Sequence, residues 1–331
     1  MKHPISILAL GLALGTSLCA AAAMAELVPT SSRQIPVFRP GSEGAVFGSF
    51  EFLGGIDISS STALFGAWSS VRFLPGGRDF IGVLDTGHWM SGRIERDATG
   101  RLSGLADMAI VPMTDARGLQ DQGKSSMDAE SLAIRDGQAI VGFEQRHRVD
   151  AYALPVTETG RPVRTLALPF AVGRLRGNGG LETLAASPVA SPLAGGLVAV
   201  SERSVDAQGY LYAGILDGPL KGSFKVARHD DFDVTDGAFL PDGDLLLLER
   251  RFGLATGIGM RIRRIEADAL KPGAVVDGDI VFEAGYSDQI DNMEGLDVVA
   301  LDGGEVRVIV VSDDNHSILQ RNLMLEFRVI N

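Results

Sequence analysis

The chain repeats itself, and the repeat limits what it can fold into. Each copy holds a polar residue, a short strand, a Pro/Gly turn, a second strand and an acidic end. Asp128-Ala129-Glu130-Ser131-Leu132-Ala133 precedes a strand ending in Phe143-Glu144-Gln145-Arg146, and Gly180-Leu181-Glu182-Thr183-Leu184-Ala185 precedes one ending in Val200-Ser201-Glu202-Arg203. Thr235-Asp236-Gly237-Ala238-Phe239-Leu240 leads to Leu248-Glu249-Arg250, and Asn292-Met293-Glu294-Gly295-Leu296-Asp297 leads to Val311-Ser312-Asp313-Asp314. A weaker first copy joins Trp68-Ser69-Ser70-Val71-Arg72-Phe73 to Leu84-Asp85-Thr86-Gly87. Aligned on Ser69, Glu130, Glu182, Gly237 and Glu294, the copies are 61, 52, 55 and 57 residues apart. A β-helix rung is shorter, and a sandwich needs no such period. The repeat therefore predicts an all-β chain forming a single β-propeller. Helical periodicity is nearly absent, and the 41 glycines suit many tight turns between short strands.

The first 25 residues read as an export signal, with Lys2 and His3, an apolar stretch from Ile5 to Leu18, and Ala23-Met24-Ala25 before the cleavage point. Cleavage after Ala25 leaves 306 residues with a net charge of -13 and without Cys19, the only cysteine. No disulfide or catalytic thiol is then available. A mean repeat of about 56 gives between five and six units, and six blades are favoured over five. The ring is expected to be closed by N- and C-terminal strands, with Glu43 to Asp57 beside Leu319 to Ile330. The domain reading is a signal at 1–25, an N-terminal extension at 26–43 and the propeller at 44–331. The acidic balance excludes a general nucleic-acid binder. The expected protein is periplasmic or secreted, with no membrane anchor after cleavage; the sequence leaves its oligomeric state open.

In a propeller the innermost strands line one axis, so a repeated acid becomes a ring. Glu130, Glu182 and Glu294 share one repeat position; Asp85, Glu144, Glu202, Glu249 and Asp313 share a second. Clustered carboxylates raise one another's pKa unless a cation relieves them. A hard cation with oxygen ligands is one solution, and Arg146, Arg203 and Arg250 are another. Asp313-Asp314-Asn315-His316, with Asp291-Asn292, is the densest polar group and suits calcium. The site reading makes Glu130, Glu182, Glu294 and His147 catalytic. Arg146, Arg203 and Arg250 bind substrate, and Asp85, Glu144, Glu202, Asp313 and Asp314 bind metal. Capping or holding the blades in register is the alternative role for the acids. A Gly-x-Ser-x-Gly elbow and His-x-x-x-His spacing are both absent.

At these motifs, and at Gln320-Arg321-Asn322-Leu323-Met324-Leu325, the chain resembles the bacterial phytase-like family, described by esterase-like activity, over about residues 44 to 330. The resemblance implies a secreted propeller, Ca2+ bound once or more, and hydrolysis of phosphate esters. The first copy departs from the family pattern, because Thr86 follows Asp85 where an arginine is usual. The expected function is an exported calcium-dependent hydrolase of phosphate monoesters, acting on a phosphorylated small molecule. A non-catalytic ligand- or protein-binding propeller and a calcium-dependent ester or lactone hydrolase are the alternatives.

Overall fold

The computed structural model describes residues 26–42, 44–158, 160–253 and 257–330; the segment 1–25, expected from the sequence to be an export signal, lies outside the described residues. Four strands come first: β1 (Glu26–Leu27), β2 (Thr30–Ile35), β3 (Val46–Phe47) and β4 (Phe50–Ser60). Blade one follows as β5 (Trp68–Phe73), β6 (Asp79–Leu84), β7 (His88–Arg96) and β8 (Leu102–Pro112). A helical turn, α1 (Lys124–Met127), leads to blade two: β9 (Ala129–Arg135), β10 (Gln138–Phe143), β11 (Arg148–Ala153) and β12 (Arg164–Leu166). Blade three is β13 (Leu181–Ala186), β14 (Leu197–Val205), β15 (Leu211–Ile215) and β16 (Gly222–Val226). Blade four holds β17 (Asp233–Phe239), β18 (Leu245–Gly253), β19 (Gly257–Ile265) and β21 (Asp279–Gly285), while the short β20 (Val275–Val276) runs parallel to β16 on blade three. Blade five is β22 (Asn292–Ala300), β23 (Val306–Asp313) and β24 (Asn322–Val329), extended outward by β4 and β2.

Turn chemistry sets the hairpins. At Pro241-Asp242-Gly243-Asp244, Gly243 takes φ +99°, and the Asp242 carboxylate accepts the Asp244 amide at 3.0 Å. The buried run Leu245 to Leu248 follows at once. Apolar residues on the blade faces meet in five cores, one at each junction between neighbouring blades, including that between blades five and one.

Two expectations are corrected. There are five blades, not six, because residues 26 to 60 add outer strands to blades one and five instead of building their own sheet. Nor is a ring closed by hydrogen-bonded terminal strands what joins the blades. The five sheets stay separate and open; β4 does pair with β24, but inside blade five. Blade five meets blade one through packed side chains of β22, β23 and β5.

One end of the axis is filled. Arg72 of β5 reaches across to Asp236 of β17, with Nη2 to Oδ1 at 2.7 Å and Nη1 to Oδ2 at 2.9 Å. The same guanidinium donates to the carbonyls of Leu184, Gly237 and Leu296, which belong to blades three, four and five. Asp236 also accepts Ser70 Oγ at 2.8 Å and the Leu296 amide at 3.0 Å. Burial opposes both charges; Asp236 more than offsets this for Arg72, while Asp236 itself stays above the ordinary carboxylate value although Arg72 draws it down. Replacing Arg72 with Ala strands a buried carboxylate. Urea denaturation should show Arg72→Ala less stable than wild type by about 3–5 kcal/mol. In the Arg72→Ala/Asp236→Ala double variant the loss should be well short of the two single losses combined.

Candidate functional site

Each innermost strand carries a β-bulge at the same place. Trp68 pairs with Leu84 and Ser70 with Val83, leaving Ser69 as the extra residue. The same count leaves Glu130 extra in β9, Glu182 in β13, Thr235 in β17 and Glu294 in β22. A bulge re-aims its extra side chain and bends the strand. The structural equivalent in blade four is therefore Thr235, not Gly237, and its hydroxyl is used on the Met293 carbonyl at 3.0 Å. The second strands obey the same register. One residue beyond each pre-bulge pair come Asp85, Glu144, Glu202, Arg250 and Asp313. Blade four thus presents Arg250 where the others present an acid. Glu249 turns away into its own blade, buried between Arg261 and Arg263.

These tiers enclose a polar axial cavity of about 150 Å³. Six carboxylates line it (Asp85, Glu130, Glu182, Glu202, Glu294 and Asp313), with three cations, Lys124, Arg203 and Arg250, and also Ser69 and Asn178. Every cation is already paired. Lys124 Nζ lies 2.5 Å from Asp85 and 3.5 Å from Asp128. Arg203 bonds Asp233 and Glu202 at 2.8 and 2.9 Å, and Arg250 Nε sits 3.0 Å from Glu294.

Beside the cavity Asp128, Glu130 and Glu144 form a buried acidic triad, each offering one oxygen within 4.8 Å of the others. Glu144 is held by the amides of Gly179 (2.8 Å) and Gly180. Gly179 has φ +96°, and a Cβ on Gly180 would lie 2.5 Å from the His147 ring, so glycine lets this backbone approach the carboxylate. Asp128 is 1% exposed and its Oδ1 has no hydrogen-bond donor. Two metal–oxygen bonds of about 2.4 Å span such separations, and an all-oxygen donor set suits a hard cation. The triad can therefore coordinate a divalent cation.

The electrostatics agree. Burial, then neighbouring acids, lifts Glu130 and Glu182 well above the usual carboxylate range; the neighbours raising Glu182 are Glu130, Glu202, Glu144 and Glu294. Burial pushes Glu202 up to about 7, although Arg203 and Arg250 draw it down. Asp313 is pushed to about 7 by burial, with the Asn315 amide opposing and Glu294 adding to the rise.

The cavity gathers Glu130, Glu182, Glu294, Arg203, Arg250, Asp85, Glu202 and Asp313. Four other residues singled out from the sequence lie elsewhere. Glu144 belongs to the triad. His147 Nε2 lies 2.7 Å from the Arg176 carbonyl, and Arg146 is exposed. Asp314 accepts the His316 amide and the Asn322 amide group at 2.9 and 2.7 Å. Asp128 and Lys124 were missed. For Asp128 the signal was its place two residues before Glu130 in the repeat; the structure sets it at the end of α1, just before β9, where the Glu130 bulge brings the two carboxylates together.

Fold and site together define a five-bladed propeller with an acidic axial cavity and an oxygen-only triad beside it. The chain belongs to the phytase-like family, described by the esterase-like activity of phytase, which matches residues 63–316. No curated protein sequence matches the chain. Among solved structures it is similar to the PQQ-bound aldose sugar dehydrogenase of Streptomyces coelicolor, with 15% identity over 91% of this chain and 98% of that one, at a TM-score of 0.44. It is also similar to an endo-arabinase of Bacteroides thetaiotaomicron, with 10% identity, 80% and 94% coverage and a TM-score of 0.49. A third is the calcium-binding protein regucalcin of Agrobacterium tumefaciens, with 12% identity, 89% and 95% coverage and a TM-score of 0.40.

The raised carboxyls make a pH prediction. Glu202 and Asp313 keep their protons up to about pH 7 when folded but release them near the ordinary carboxylate range when unfolded. The folded state holds more protons across that window, so stability falls as pH rises through it. In chelator, the melting temperature should drop between pH 5 and pH 8. Calcium should restore more at pH 8 than at pH 5, and Glu182→Gln should shrink both effects. Indifference of the melt to calcium at pH 8 would rule out cation binding here.

Proposed function

We propose that the protein is a divalent-cation-dependent hydrolase of carboxylic esters or lactones, working at the axial cavity. The observation that carries this reading is that all three cavity cations are consumed by carboxylates, while acids outnumber them six to three. Such a cavity attracts a metal ion, whereas a phosphate dianion, whose binding relies on bidentate arginine contacts, would have to compete with Glu202, Asp233 and Glu294 for its guanidinium groups. The family description, esterase-like activity, points the same way.

Asp128, Glu130 and Glu144 would hold the cation, with calcium the proposed ion. Bound there, it would supply Lewis-acid polarisation of a carbonyl oxygen. The protein's own residues do the rest. Asp313, at about 7, is poised to take a proton from water at neutral pH, and the Asn315 amide at 2.8 Å fixes its orientation. Burial raises the Glu294 carboxyl above its ordinary value, Arg250 draws it back and holds it in place, and Asn292 Nδ2 donates to the same carboxylate at 2.7 Å. The Arg72 plug closes the opposite end of the axis.

The test is turnover of p-nitrophenyl acetate, a lactone panel and inositol hexakisphosphate, with calcium and after chelation. Calcium-dependent ester or lactone cleavage is expected, with kcat lowered roughly 100-fold in Asp313→Asn. Calcium-dependent phosphate release without ester cleavage would overturn the reading in favour of a phosphatase. No turnover on any panel by folded, calcium-loaded protein would favour a binding propeller.

A further inference from the structure

A second, larger cleft of about 930 Å³ opens on the same face as the axial cavity. Its walls come from the facing ends of β18 and β19, the segment from β21 to β22, the segment from β23 to β24, and Pro40 between β2 and β3. The volume is that of a pocket for a small organic ligand. Large apolar side chains stand in it with unusual exposure: Tyr286 at 88%, Leu319 at 87% and Phe252 at 76%. Single exposed apolar residues are ordinary, but three lining one concavity are a binding feature. Several polar groups in the walls are already engaged, although Arg251 Nε has no hydrogen-bond partner. Arg321 is bound to Asp291, Gln289 and the Ile290 carbonyl, Asp288 is bound to Arg39, and the Arg251 guanidinium lies over the Phe232 ring at 4.6 Å.

The two cavities share a wall. Arg250 lines both, and Asn292, which lines the cleft, holds Glu294, which lines the axial cavity. A molecule with its reacting group at the axial carboxylates would therefore run its remaining part over Arg250 into the apolar cleft. We infer that this cleft binds the apolar acyl or alcohol arm of the substrate, so that the preferred substrates are esters or lactones with a medium-length hydrocarbon arm. The inference rests on the hydrolase reading for its chemistry, but the cleft can be tested apart from it.

Two measurements separate the two ideas. Calorimetry with octanamide and acetamide reads the cleft alone, since neither is an ester. Octanamide should bind and acetamide should not, and Tyr286→Ser and Leu319→Ser should weaken octanamide roughly tenfold, with two apolar contacts at stake. Both positions are exposed, so the variants should fold; Val189→Ser, at an exposed site elsewhere, is the control. In parallel, p-nitrophenyl acetate, butyrate and octanoate give kcat/KM against chain length, expected to rise in wild type and to flatten in the two cleft variants. Octanamide binding lost in the variants supports the cleft even if no ester is cleaved, an outcome that would count against the hydrolase alone. Absent octanamide binding, or binding that ignores both substitutions, overturns the cleft even if acetate is hydrolysed.

Discussion

The Arg72–Asp236 pair is the constraint on which the axial architecture rests. Five open sheets around an axis leave a channel, and something must fill it or it fills with water. Here a guanidinium from blade one enters the channel and meets a carboxylate of blade four and carbonyls of blades three, four and five. A buried pair of this kind adds little net stability compared with an apolar plug, but it is directional. It fixes the rotation of four blades relative to one another. It also divides the axis, separating the acid-lined cavity from a second one of about 160 Å³ that Arg72 and Asp297 line at the other end.

The bulges then convert a structural repeat into a chemical one. A regular strand would alternate its side chains between two faces, so that few residues per blade could reach the axis mouth. One inserted residue in each inner strand re-aims a single side chain there. Three of the five inserted residues are glutamates. The departures from symmetry matter as much as the repeat. Blade four contributes Thr235 and Arg250 instead of two acids, so the negative field is broken on one side, and the large cleft opens at that break.

Much of this was legible in the sequence because it repeats. The spacing of Glu130, Glu182 and Glu294 gave the propeller and its acid ring, and Glu202 and Asp313 followed from the strand ends. Blade four was misaligned because a bulge cannot be seen in alternation: Gly237 fits the apolar pattern, while the inserted residue is Thr235, two positions earlier. Glu249 was grouped with the acids for the same reason, since the register places Arg250 at that height. Arg72 was hidden by expectation, because arginine is seldom buried and its partner lies 164 residues away. The sixth blade was an error of division. The N-terminal strands lengthen two existing sheets, which no count of residues per repeat reveals.

Charge balance is the physical basis of the substrate class proposed for the axial cavity. A net charge of -12 repels a polyanionic substrate unless the local field is reversed at the site. Arginines at the right sequence positions looked able to reverse it, but geometry spends them differently. Arg203 and Arg250 neutralise Glu202, Asp233 and Glu294, which would otherwise repel one another in a low-dielectric cavity. A cation held at Asp128, Glu130 and Glu144 would cancel part of the remaining excess without making the mouth cationic. A neutral substrate meets no electrostatic penalty at such a mouth, and a carbonyl oxygen offers the metal one weak ligand instead of several charged ones. Acids close to the axis, arginines paired with them and an apolar cleft alongside are the features on which the proposed neutral, partly apolar ester rests.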